Sequence, residues 1–149
     1  MLPKYSLRLA GTHDSPFCYD VLVQSMKTYA LQTWGVWPEE EARLAQATDC
    51  AAGRMRIIQL DGVDAGTLRV DVLPNHHQLE QLYLLPQFRG KGLGSAVLVD
   101  LLACASIKGF PMRLRVLRVN PAQHFYVRHG FRIVLSEPER LHMECDHSS

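Results

Sequence analysis

Nowhere does the sequence hold an apolar run near the ~18 residues that a membrane-spanning helix needs. Its N-terminus shows no basic region followed by an apolar core, so no secretion signal is read there. Together these absences predict a cytoplasmic protein without a membrane partner. The four cysteines, Cys18, Cys50, Cys104 and Cys145, are scattered and contain no C-x-x-C pair. That pattern argues against a zinc site and against a disulfide framework. Cys18 and Cys104 fall on helical patterns, where buried thiols are common. No H-x-x-x-H pair occurs among the seven histidines, so no metal is expected. His76-His77 reads as a turn and His147 as part of a polar tail. The formal charge is only +1, which gives no reason to expect nucleic acid. Repeats, linkers and low-complexity tracts are also missing, and the 149 residues are expected to form one domain, 1–149. Apolar residues at 47% and charged residues at 21% place the chain among ordinary globular proteins.

What the chain does contain is one dense run, Leu82-Tyr83-Leu84-Leu85-Pro86-Gln87-Phe88-Arg89-Gly90-Lys91-Gly92-Leu93-Gly94-Ser95. An apolar stretch of strand length stops at a proline, and three glycines follow with Arg89 and Lys91 among them. A segment of helical period then runs over residues 93–107. Glycines allow a close backbone approach and turns that a Cβ forbids. A helix that begins there points unpaired N–H groups and its positive dipole end at the same spot. This is an anion site of the kind that holds phosphate or pyrophosphate. The Walker pattern fails, because Lys91 is followed by Gly92 and not by Ser or Thr. The Rossmann fingerprint fails on spacing, G-x-G-x-G in place of G-x-G-x-x-G. The acid it needs about 20 residues further on is replaced here by Arg113 and Arg115.

Elsewhere, periodicity predicts the elements. Residues 5–9 alternate as a strand. Ser15-Pro16 resembles an N-cap with proline at the first helical position, and a helix extends to about Leu31. Pro38 with Glu39, Glu40 and Glu41 suits the first turn of a second helix ending before Gly53. Strands follow at 55–60 and 63–73, joined by the tight turn Asp61-Gly62. Pro74-Asn75 breaks the chain before a strand at 78–85. A further strand carries Arg113, Arg115 and Arg118, a cluster that reads either as a solvated strand edge or as lining for an acidic group. A short helix follows, and Gly130-Phe131 begins the sixth strand. Residues 140–145 form the seventh.

The loop resembles the pyrophosphate loop of the GNAT superfamily of acyl-CoA-dependent N-acyltransferases. Gln87, Gly90 and Gly92 match its Gln or Arg-x-x-Gly-x-Gly or Ala pattern. The later stretch, from Leu114-Arg115-Val116 through Asn120 and Tyr126 to Gly130-Phe131, is similar to the strand, asparagine, short helix, tyrosine and Gly-Phe that follow the loop in that family. The resemblance covers residues 54–144 in order. One departure is visible: Asn120 to Tyr126 is six positions, one shorter than the common spacing, with Pro121 in between. The resemblance implies an α/β (α+β) fold with a mixed, mostly antiparallel seven-stranded sheet, splayed between strands 4 and 5 and flanked by about four helices.

It also implies acetyl-CoA as co-substrate, without a metal. The backbone of Leu82, Tyr83 and Leu84 would hold the pantetheine arm, assisted by Asn120. Gln87, Arg89, Gly90, Lys91, Gly92, Leu93, Gly94 and Ser95 would hold the pyrophosphate. Tyr126 would be the general acid toward the CoA sulfur. Glu80, on the strand leading to the loop, is the first candidate for the base, with Glu137 and His142 as fallbacks. Tyr29, Trp34 and Trp37 lie where the family builds a wall of its acceptor site, and aromatic rings there suit an amine. Each of these side chains also has a packing reading: Tyr126 as a core ring, Glu80 as a solvated carboxylate, the tryptophans as a plug on the sheet. The implied activity is acetyl transfer to a primary amine of a small molecule or peptide, by a monomer or homodimer. The alternative is a CoA-binding regulatory module without turnover. A nucleotide switch is disfavoured, because the Walker Ser/Thr and a magnesium-binding acid are missing.

Overall fold

A computed structural model describes residues 1–146, so His147 lies outside the described residues. The elements run β1 (Ser6–Leu9), α1 (Ser15–Trp34), α2 (Glu39–Ala51), β2 (Arg56–Leu60), β3 (Val63–Val72), β4 (His77–Leu84), α3 (Leu93–Ile107), β5 (Met112–Leu117), α4 (Ala122–Arg128), β6 (Arg132–Ser136) and β7 (Arg140–Cys145). The strands order as β1-β2-β3-β4-β5-β7-β6. β4 and β5 pair in parallel, and β1-β2, β2-β3, β5-β7 and β6-β7 pair antiparallel. This is the mixed α/β fold expected. Among the described residues no helix is long and apolar enough to cross a membrane.

The chain divides into two compact units, Met1–Arg69 with Gln81–Ala96, and Val70–Glu80 with Val97–Ser149. β3 and β4 run through both. In the first unit, α1 and α2 bury Cys18 and Cys50 against Ala10, Met55 and Ile57. Arg8 braces the start of α1 by donating to the Asp14 carboxylate at 2.9 and 3.0 Å, and it also reaches Asp64 at 2.9 Å. That guanidinium, with help from the Gly11 N–H, holds the buried Asp14 carboxyl down at about 2. In the second unit, Leu114 and Val116 of β5 stand opposite Met143 and Leu141 of β7, and all four are buried.

Several boundaries differ from the sequence reading, each for a local reason. Asp14, not Ser15, is the N-cap of α1, and Ser15-Pro16 form its first turn. The helix continues past Leu31 to Trp34 and stops at Gly35, whose φ of +75° closes it with an N–H to Leu31 O bond of 2.9 Å. His77 is not in a turn: it opens β4, buried, edge-on to Phe110. Burial pushes its imidazole down. Arg118 lies past the end of β5, where its N–H bonds Glu139 O at 2.9 Å. β6 begins at Arg132, after Gly130 has turned the chain at φ +95°. Cys104, expected inside, is exposed on α3. Asp61 and Gly62 both take positive φ, 52° and 77°, as the tight hairpin turn requires.

Candidate active site

β4 delivers the chain to the glycine loop, and a second glycine on its neighbour shapes that delivery. Gly66 on β3 faces Tyr83 and Leu84 so closely that an added Cβ would lie 2.1 Å from Tyr83 O and 3.1 Å from Leu84 Cα. A carbonyl so placed tells which way the peptide faces. Because a trans peptide is planar with C=O and N–H opposed, the Leu84 N–H points away from Gly66. The next rung, Leu85 N to Ala65 O at 2.9 Å, pins the end of the strand. Gly66 belongs to no motif of the sequence. Its signal was present: a lone glycine inside a strand pattern marks a close backbone approach.

After β4, a single 3₁₀ turn (Pro86–Phe88) leads into the glycines. Gly90 and Gly92 take φ of +74° and +82°, the left-handed region where a side chain is strained. Gly94 differs from them, since it already lies inside the first turn of α3, which begins at Leu93. Gln87, Arg89, Gly90 and Lys91 are exposed, Gly92 and Ser95 half-buried, and Leu93 buried. Arg89 turns its guanidinium back, donating to Leu84 O at 2.9 Å and Gln24 O at 3.3 Å. It therefore ties the loop to α1. A left-handed loop that opens into a helix N-terminus can take an anion on backbone N–H groups.

On the acceptor-side candidates the structure separates the two tryptophans. Trp37 donates Nε1–H to Tyr19 OH at 2.9 Å, and Arg43 lies over the Tyr19 ring at 4.2 Å. That ring pair is a packed unit joining α1 to the start of α2. Trp34 is exposed at the end of α1, beside exposed Leu31 and Val36, and Tyr29 is half-buried one turn earlier.

The second unit holds the remaining candidates. Asn120 is buried and its Oδ1 accepts the Ala122 N–H at 2.9 Å, across Pro121, the N-cap of α4. Tyr126 is buried on α4, its ring edge-on to Phe125 and Phe131 at 5.3 and 5.5 Å between centroids. Pro121, within the six-residue spacing, is the N-cap of that short helix. Glu80 is half-buried, and Arg115 Nη2 stands 3.7 Å from its Oε2. Arg113 pairs with Glu144 at 2.8 Å. The arginines of β5 are thus set against carboxylates of their own sheet. His142 and Glu137 hydrogen-bond one another. A shallow cavity of about 500 Å³, lined by Val99, Leu102, Arg128, His129 and Cys145 among others, includes none of the candidate site residues. Among the described residues no group of three or more His, Cys, Asp or Glu side chains could hold a metal ion.

Comparison with known proteins agrees with this frame. Residues 51–133 match the family described as acetyltransferase (GNAT) domain. The fold is similar to the PaiA N-acetyltransferase of Thermoplasma acidophilum, solved in complex with coenzyme A, with a TM-score of 0.74 and 20% identity over 97% of this chain and 99% of that one. An acetyltransferase from Thermus thermophilus is similar too, with a TM-score of 0.75 and 22% identity over 97% and 98% of the two chains. No curated protein matches the sequence.

Proposed function

Because the chain belongs to the GNAT acetyltransferase family and is thereby an acyltransferase, we propose that it transfers the acetyl group of acetyl-CoA to a primary amine of a small-molecule or peptide acceptor. It does so as one domain over residues 1–149, in the cytoplasm, as a monomer or homodimer and without a metal. The observation that carries this reading is the passage from β4 through left-handed Gly90 and Gly92 into the N-terminus of α3. The similar fold of a protein solved with coenzyme A supports it.

In this reading residues 87–95 hold the pyrophosphate, chiefly through backbone N–H groups. Arg89 fixes the loop, and Lys91 is its exposed cation. The backbone of Leu82, Tyr83 and Leu84 receives the pantetheine arm, with the Leu84 N–H turned away from β3 toward it, and Asn120 binds the arm as well. The amine nitrogen attacks the thioester carbonyl, the C–N bond forms and the C–S bond breaks. Tyr126 gives its phenolic proton to the departing sulfur, and the proton that the nitrogen loses passes to solvent, from which the phenol is restored. Glu80 stands on the amine side and sets its charge against Arg115. Tyr29, Trp34 and Trp37 form the acceptor wall, with Trp37 held by its bond to Tyr19. The test is a panel of primary amines offered with acetyl-CoA, read as free-thiol release and acetylated product. Amine-dependent thiol release is expected. Tight acetyl-CoA binding with no release across polyamines, amino acids, peptides and aminoglycosides would leave a CoA-binding module in its place.

A further inference from the structure

The β4–β5 ladder ends at Leu79 opposite Leu114. Glu80 and Arg115, which contact each other at 3.7 Å, are the first residues beyond its last rung. On the other side of β5, His142 of β7 is the register partner of Arg115. Residues directly opposite one another project from the same face of a sheet. Leu141 and Met143, which flank His142, are buried, whereas His142 keeps about a third of its side chain exposed. Its Nε2 is bonded to the carboxylate of Glu137. Glu137 is itself fixed: its N–H bonds Arg140 O at 2.8 Å, and its carbonyl accepts from the Arg118 guanidinium at 2.6 Å. Glu80, Arg115, His142 and Glu137 therefore form one row across β4, β5 and β7, beginning where the ladder opens. The facing groups from neighbouring elements are Arg115 of β5, Leu135 of β6, and Glu144 two residues along β7.

We propose that His142, oriented by Glu137, is the residue that takes the proton from the incoming amine. This rests on the acyl-transfer reading above and names its base. A carboxylate on Nε2 makes that nitrogen the N–H donor and leaves Nδ1 with the lone pair, so the tautomer is the one a base requires. As the alkylammonium proton passes to Nδ1, Glu137 faces the imidazolium that forms. The freed amine attacks the thioester carbonyl and the C–N bond forms; as the C–S bond breaks the sulfur takes the Tyr126 proton, the second proton of the nitrogen passes through water to restore the phenol, and the imidazolium releases its proton to solvent. Glu80 in this scheme is a positioning residue, its carboxylate facing Arg115, the register partner of His142.

The experiment measures pH profiles of kcat/KM for wild type, His142→Gln, Glu137→Gln and Glu80→Gln, using acetyl-CoA and an amine that the wild type turns over. His142→Gln is expected to lower turnover about 10²-fold at neutral pH, the lower bound for a positioned base. It should abolish the low-pH limb and leave acetyl-CoA affinity unchanged. Glu137→Gln should shift that limb, while Glu80→Gln should keep it. An unchanged limb in His142→Gln, or one lost in Glu80→Gln alone, overturns the assignment. Should His142→Gln not fold, an unshifted limb in Glu137→Gln overturns it equally. A wild type that binds acetyl-CoA yet acetylates no amine overturns the transfer reading, and the dyad with it. Wild-type turnover with an indifferent His142 overturns the dyad alone.

Discussion

Replacing Gly66 by alanine is expected to cripple acetyl-CoA binding in a protein that still folds. The new methyl group would sit 2.1 Å from Tyr83 O and 2.8 Å from Leu84 Cδ2. The leucine methyl can rotate aside. The carbonyl has to retreat beyond 3.0 Å, and the planar peptide takes the Leu84 N–H with it. Such overpacking costs about 1–3 kcal/mol. At roughly 2–4 °C per kcal/mol for a chain of this size, the melting temperature should fall by about 2–12 °C. Stability alone does not separate the strand's binding role from ordinary packing, so the decisive assay is calorimetric titration with acetyl-CoA. A displacement approaching 1 Å breaks a hydrogen bond of ordinary geometry, and the dissociation constant should rise by about tenfold or more. Gly53→Ala serves as the control. It also strains the backbone, at φ +72°, but its Cβ meets no atom within 4 Å. It should lower stability and leave acetyl-CoA affinity alone. Wild-type affinity in a folded Gly66→Ala variant would refute the claim that the 83–84 peptide belongs to the site.

Other outcomes follow from the same geometry. Gly92→Leu places a side chain at φ +82° in the loop, and it should abolish the rise in melting temperature that acetyl-CoA produces while circular dichroism stays native; a retained rise would contradict the loop assignment. Tyr126→Phe keeps the ring contacts with Phe125 and Phe131, so acetyl-CoA affinity should hold while turnover drops by roughly 10²–10⁴-fold, nearer the lower end because a thiol leaves readily. Full turnover would make Tyr126 a packing residue. Asp14, held at about 2 by Arg8, contributes stability that is present above the ordinary carboxylate range and lost as pH falls from about 4 toward 2. Arg8→Leu should remove about 2 kcal/mol near neutrality and flatten the acid limb of the stability profile; an unchanged limb would refute the pairing.

The sequence exposed the parts of this molecule that local chemistry dictates. Glycines with left-handed φ at 90 and 92, the Asp61-Gly62 hairpin and the order of elements follow from short-range rules, and the structure agrees with each. What the sequence hid depends on partners distant along the chain. Arg89 looks like an anion ligand from its neighbours Gly90 and Lys91, yet its guanidinium is drawn back to Leu84 O and Gln24 O. Trp37 looks like a free aromatic wall until Tyr19, eighteen residues earlier, is found bonded to it. Gly66 carries its meaning only once β3 is laid against β4. His142 and Glu137 were two separate polar residues near the chain end, and the β6–β7 hairpin makes them a pair. The helix boundary at Trp34 was misplaced because apolar periodicity fades over residues 32–34, whereas the stop signal is Gly35.

The most direct test of the account is the response of the protein's melting temperature to acetyl-CoA, CoA and ATP at equal concentrations. A ligand that binds only the folded state raises the midpoint by mass action, by about 2.7 kcal/mol at a hundredfold excess over its dissociation constant. A clear rise is expected with acetyl-CoA and with CoA. A much smaller one is expected with ATP, which lacks the pantetheine arm and finds no Walker lysine at Lys91-Gly92. Equal protection by ATP and acetyl-CoA, or none by acetyl-CoA, would contradict the account.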